Sequence, residues 1–114
     1  MSQPAPYPEC PLSPCIKLLS GAWTLEIIYF LRQSPQRFGE LRRALGKVSS
    51  KVLTARLREL EERQVITRKE LPTNPPSVEY ALSELGRELL PVIDSFAEVS
   101  ATLQQKYSAD MLDR

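Results

Sequence analysis

A chain of 114 residues, 42% hydrophobic and 25% charged, has a globular composition and is long enough to bury roughly two-thirds of its unfolded surface without disulfide or metal staples. The absence of histidine, with only two cysteines and four dispersed glycines (Gly21, Gly39, Gly46, Gly86), excludes a four-ligand zinc site, an imidazole-activated nucleophile and a phosphate loop, so neither an enzyme nor a bound cofactor is expected. The net charge of +1 gives no general attraction to polyanions.

The distribution of that charge is more informative. Between Arg32 and Lys69 stand eleven basic residues and only four acidic ones, a local balance of +7, whereas the two flanks together carry −6. A basic centre in an acidic frame is the footprint of a module that meets an anionic polymer on one side. The longest apolar run, Ile27 to Leu31, is far short of the ~20 residues of a membrane helix. No basic start followed by an apolar run marks a secretory signal. A cytoplasmic location without membrane partners is therefore expected.

Residues 1–9 hold three of the ten prolines and read as a flexible arm; residues 10–114 read as a single domain. A short helix is expected over Cys15–Leu19, with Ser13 as its N-cap, Pro14 as its first residue and Gly21 just past its end. Thr24 to Gln33 is apolar on nearly all sides and predicts a central buried helix stopped by Pro35, although Ile27 and Ile28 also suit a strand. Phe38, Leu41, Ala44 and Leu45 give a one-sided helix ended by Gly46. After Lys47, Val48 and a serine cap, Leu53, Leu57 and Leu60 recur at four and three residues, leaving Ser50, Lys51, Thr54 and Arg58 on the opposite face. Two amphipathic helices meeting across a short glycine-containing turn outline a helix-turn-helix.

Two strands follow, Val65–Leu71 and a second in which Val78, Tyr80 and Leu82 alternate with polar residues. The intervening PTNPPS, Pro72 to Ser77, cannot continue a hydrogen-bonded ladder and predicts a stiff exposed wing. From a Ser83 cap the chain returns to helix over about 84–107. There Leu85, Leu89, Val92, Phe96, Val99 and Leu103 repeat with a 3.5-residue period that suits a dimer seam, and Pro91 predicts a kink or a new helix start. The fold class expected is mainly α with a small β-hairpin: a winged helix-turn-helix with terminal dimerisation helices.

In that element order the second helix enters the major groove of duplex DNA. Ser49, Ser50, Lys51, Thr54 and Arg58 then face bases and nearby phosphates, and Arg56 on the flank is expected to meet phosphate. Arg42 and Arg43 on the preceding helix, Lys47 in the turn, and Lys69 and Asn74 near the wing are expected to track the backbone. An alternative is an interaction module that turns the same basic face to an acidic protein partner. A steep salt dependence of duplex binding separates the two.

The segments CPLSPCIKLLSGAWTLEIIYFL, QRFGELRRALGKVSSKVLTARLRELEER and VEYALSELGRELLPVI resemble the HxlR-type branch of the MarR-like winged-helix regulators, from about Cys10 to Phe96. The resemblance implies a homodimeric bacterial repressor or activator acting on palindromic double-stranded DNA, with a dimer built from the first and last helices. It implies recognition residues within Ser49–Arg58 and a wing over Leu71–Ser77. In a subset of that branch the cysteine before the first proline senses oxidants or electrophiles, and Cys10 holds that position here. Pro14 departs from the pattern and shifts the expected helix start, which leaves Cys15 as a second candidate for the reactive thiol.

Overall fold

The computed structural model describes Cys10–Arg114; the expected arm over residues 1–9 lies outside the described residues. Helix α1 spans Ser13–Leu19 and begins without a side-chain cap. Ser13 is its first residue rather than its cap, because the Ser13 N–H is already taken by the Cys10 carbonyl at 3.1 Å and that turn runs straight into the helix. Pro14 fits within the first turn, where no N–H is missed. After α1 the chain reverses through Gly21 at φ +104° and Trp23 at φ +71°.

Helix α2, Thr24–Leu31, is the centre of the core. Ile27 and Ile28 are both fully buried, and the strand ambiguity resolves as helix, which holds both against the core. The buried Thr24 hydroxyl donates to the Ser20 carbonyl at 3.0 Å and so tethers α2 to the end of α1. The helix stops at Leu31, short of the expected Gln33, and Arg32 lies over the Tyr29 ring at 4.1 Å.

Helices α3 (Phe38–Leu45) and α4 (Ser50–Glu62) form the helix-turn-helix. The α3 start is fixed by the Glu40 carboxylate, which accepts the Arg37 N–H at 2.8 Å. Gly46 at φ +81° ends it in a conformation that favours glycine. Helix α4 is opened by Ser49, whose hydroxyl accepts the Val52 N–H at 3.1 Å, and Leu53, Leu57 and Leu60 all point into the core.

Strands β2 (Ile66–Leu71) and β3 (Ser77–Leu82) make the wing. A two-residue strand, Gln36–Arg37 (β1), pairs antiparallel with β3, so the expected hairpin is a three-stranded sheet of order β1-β3-β2. Two residues are too few to show a period-2 pattern, which is why β1 was invisible in the sequence. At the tip the Thr73 hydroxyl donates to the Pro75 carbonyl at 2.8 Å and lies 3.0 Å from the Ser77 hydroxyl.

Ser83 caps α5 (Glu84–Glu88) by accepting the Gly86 N–H at 3.0 Å. Pro91 stands in the first turn of a new helix, α6 (Leu90–Lys106), the outcome that a proline without an N–H permits; α7 covers Ala109–Leu112. The break divides the heptad stripe. Leu85 and Leu89, assigned above to the dimer seam, pack into the protomer's own core, whereas Phe96, Val99 and Leu103 further along α6 are exposed.

Candidate nucleic-acid interface

The start of α4 is the most open part of the helix-turn-helix. Ser49, Ser50, Lys51 and Arg58 are exposed and Thr54 is half-buried, while Arg42, Arg43 and Lys47 stand exposed on α3 and the turn. Val52 is also exposed, but four residues before Arg56 it lies on the Arg56 side of α4 and not with Ser50, Lys51, Thr54 and Arg58. The Arg42 Nε donates to the Val48 carbonyl at 3.5 Å and braces the turn. At the N-terminus of α4, beside these residues, the helix dipole favours an anion.

Arg56 does not belong with these residues. Its Nε donates to the Ala22 carbonyl at 2.7 Å and its Nη1 to Glu59 at 2.6 Å. Its side chain is only 18% exposed. A guanidinium engaged on these two groups holds the N-terminal segment and is not free to meet phosphate, which corrects the expectation for Arg56. The partner carbonyl lies 34 residues away in sequence, so helix periodicity alone could not have found it.

The wing also redistributes its roles. Residues alternate across β2, so Ile66, Arg68 and Glu70 share one face, while Thr67 and Lys69 share the other. Arg68 is paired in register with Tyr80 and Lys69 with Glu79. A hydrogen bond to Tyr80 raises the Arg68 guanidinium above the usual arginine range; desolvation opposes it, and Glu70 at 3.4 Å adds to the rise. Arg68 and Tyr80 line a cleft of about 390 Å3 with Thr54, Arg58 and Glu61 of α4. Arg68 is therefore the wing cation beside the second helix, and Lys69 faces away from it. Asn74 is exposed at the tip.

A second surface is apolar. Leu12 and Ile16 of the α1 region, Phe96, Val99 and Leu103 of α6, and Tyr107, Met111 and Leu112 beyond it are all exposed large side chains. Where α1 meets α6, a cleft of about 430 Å3 is lined by Leu12, Cys15, Ile16, Leu19, Val92 and Phe96. Cys15 is exposed there and Cys10 is half-buried; both are free thiols. Among the described residues no single helix is long and apolar enough to cross a membrane.

A helix-turn-helix followed by a β-wing, with its basic residues displayed on the second helix and on the wing beside it, defines a winged-helix protein. Comparison with known proteins agrees. A family profile described as HxlR-like helix-turn-helix matches residues 18–107. The HTH-type transcriptional regulator BH0655 of Halalkalibacterium halodurans is 38% identical over 91 residues, covering 79% of this chain and 80% of that protein. A MarR-family protein from Porphyromonas gingivalis W83 superposes with a TM-score of 0.77 at 37% identity, over 89% of this chain and 95% of that one. The redox regulator HypR in its oxidized form superposes with a TM-score of 0.77 at 32% identity, over 82% of this chain and 96% of that one. The chain belongs to the HxlR-like helix-turn-helix family of transcriptional regulators.

Proposed function

We propose that this regulator acts as a homodimer on a palindromic double-stranded operator, each α4 entering the major groove and each wing resting on the adjacent backbone. The observation that carries this reading is the exposed start of α4, where Ser50, Lys51 and Arg58 stand free of intramolecular ion pairs among the described residues and Arg68 of the wing lies alongside. Palindromic half-sites about one helical turn apart, ~34–36 Å, match two copies related by a twofold axis. The exposed apolar surface of α1, α6 and α7 supplies the face on which the copies join.

The test is the salt dependence of duplex binding. Each phosphate contact removed lowers the slope of log affinity against log salt by about 0.9. Lys51→Ala and Arg68→Ala are expected to lower it by about that much each, whereas Lys69→Ala leaves it near the wild-type value. Equal slopes for all four proteins would place the interface elsewhere. A wild-type chain with no steep salt dependence on duplex would favour the acidic protein partner instead.

The regulator responds to oxidants through Cys15. Support comes from the exposure of this thiol on the apolar α1–α6 surface and from the likeness to HypR, a redox regulator. Diamide joins the Cys15 thiols of two copies in an intermolecular disulfide, the two electrons and two protons passing to the diazene, and this alters how the copies meet. Diamide treatment is expected to change duplex affinity for the wild type and for Cys10→Ser and to leave Cys15→Ser unaffected. A response that persists in Cys15→Ser and vanishes in Cys10→Ser would assign the role to Cys10.

A further inference from the structure

The rear half of α4 is fastened to the end of α1 by two arginines that face away from the proposed DNA surface. Arg56 Nε donates to the Ala22 carbonyl at 2.7 Å. Arg63 Nη1 lies 3.0 Å from the Ser20 carbonyl and 3.3 Å from that of Leu18. One carboxylate oxygen of Glu59 joins the pair, at 2.6 Å from Arg56 and 3.5 Å from Arg63. The Leu18 carbonyl is among those a helix C-terminus leaves without an intrahelical partner, and the Ser20 carbonyl, which already accepts the Thr24 hydroxyl, takes Arg63 as a second donor.

The loop is shaped to receive them. Gly21 adopts φ +104°, and a Cβ added there would stand 2.9 Å from Arg56 Nη1, so loop backbone and guanidinium are in contact. The same loop is held to α2 by the bond from Thr24 to Ser20. Both arginine side chains are largely shielded, 18% and 26% exposed, so these contacts are less screened than surface ion pairs.

We propose that Arg56 and Arg63 are positioning residues that set the angle of α4 against α1, and through it the half-site spacing that a dimer accepts; this rests on the homodimeric operator reading above. The lever is long. Lys51 and Arg63 are separated by about 18 Å of helix at 1.5 Å per residue, so a tilt of about 10° at the rear displaces the leading end by about 3 Å. One base pair advances ~3.4 Å along the duplex and turns the groove by about 35°. Because α1 contributes Leu12 and Ile16 to the apolar surface, the joint connects the dimer contact to the recognition helix without touching DNA.

The experiment uses a duplex selected from a randomised library by the wild-type chain, then rebuilt with its spacer lengthened or shortened by one base pair. The wild type is expected to lose about thirtyfold in affinity on either change. Arg56→Gln, Arg63→Gln and Gly21→Ala, the last of which strikes the joint from the loop side, are expected to discriminate between spacers by threefold or less, changes within the about two- to thirtyfold range for residues that couple two sites. Circular dichroism and sedimentation confirm for each variant that fold and oligomeric state match the wild type; a purely structural contribution lowers affinity for all spacers alike and leaves the discrimination in place. Folded variants that keep the wild-type spacer preference would overturn the inference alone. Absence of duplex binding by the wild type would bring down the operator reading and this inference with it.

Discussion

Gly86→Ala is expected to lower the melting temperature by about 12 °C. A Cβ at this position would collide with the Val65 carbonyl and press on Leu82 at 3.2 Å. That carbonyl cannot simply withdraw, because it accepts the Ser83 N–H at 3.0 Å and lies 2.9 Å from the Ser83 hydroxyl. The collision must therefore separate α5 from the start of β2, where Val65, Ile66 and Leu82 are all buried. Overpacking of a tight core costs up to about 3 kcal/mol, and each kcal/mol moves the melting point of a domain of this size by about 4 °C. Gly39→Ala is the control: an added Cβ there meets nothing nearer than Arg43 Nη1 at 4.0 Å, and the better helix former is expected to be neutral or slightly stabilising. Thermal unfolding followed by circular dichroism checks both. A Gly86→Ala protein melting within a few degrees of wild type would mean that the α5–β2 contact is looser than described.

Phe96→Asp is expected to raise the dissociation constant of the proposed dimer about a thousandfold while leaving the protomer folded. Phe96 is 53% exposed and borders the clefts on both sides of α6, one shared with α1 and the other with α2, which makes it the central anchor of the apolar surface. An aromatic anchor at an interface contributes about 2 kcal/mol or more. A twofold axis counts the substitution twice, so the loss is about 4 kcal/mol, or three powers of ten. Operator affinity should fall with it, since a monomer engages one half-site at a time. Sedimentation equilibrium reads the first effect and titration with duplex the second. Unchanged dimerisation would move the interface away from α6.

The helix-turn-helix was legible because its signals are local: the leucine spacing of α4, the glycine that ends α3 and the serine that opens α4 all lie within one turn of what they determine. The wing was legible through its prolines. What escaped depended on long-range geometry. Arg56 looks like any flank arginine until Ala22 is brought beside it. Lys69 was named and Arg68 was not, because TRKE offers no buried residue from which to read the parity of β2; only Ile66 before it is buried, and the cleft that Arg68 and Tyr80 share with Thr54, Arg58 and Glu61 fixes which side faces α4. The heptad stripe misled at Leu85 and Leu89 because seams within and between chains share one period, and Pro91 divides this stripe into a part packed on the core and an exposed part.

The central claim, that a pair of α4 helices reads duplex DNA through its wide groove, is tested most directly by dimethyl sulfate protection of guanine N7 on a duplex selected by the wild-type chain. N7 lies on the major-groove edge. The account predicts two protected patches about 10–10.5 base pairs apart, centre to centre, both lost in Lys51→Glu. Full methylation of every guanine beneath a tightly bound protein, or a single patch with no counterpart one turn away, would contradict it.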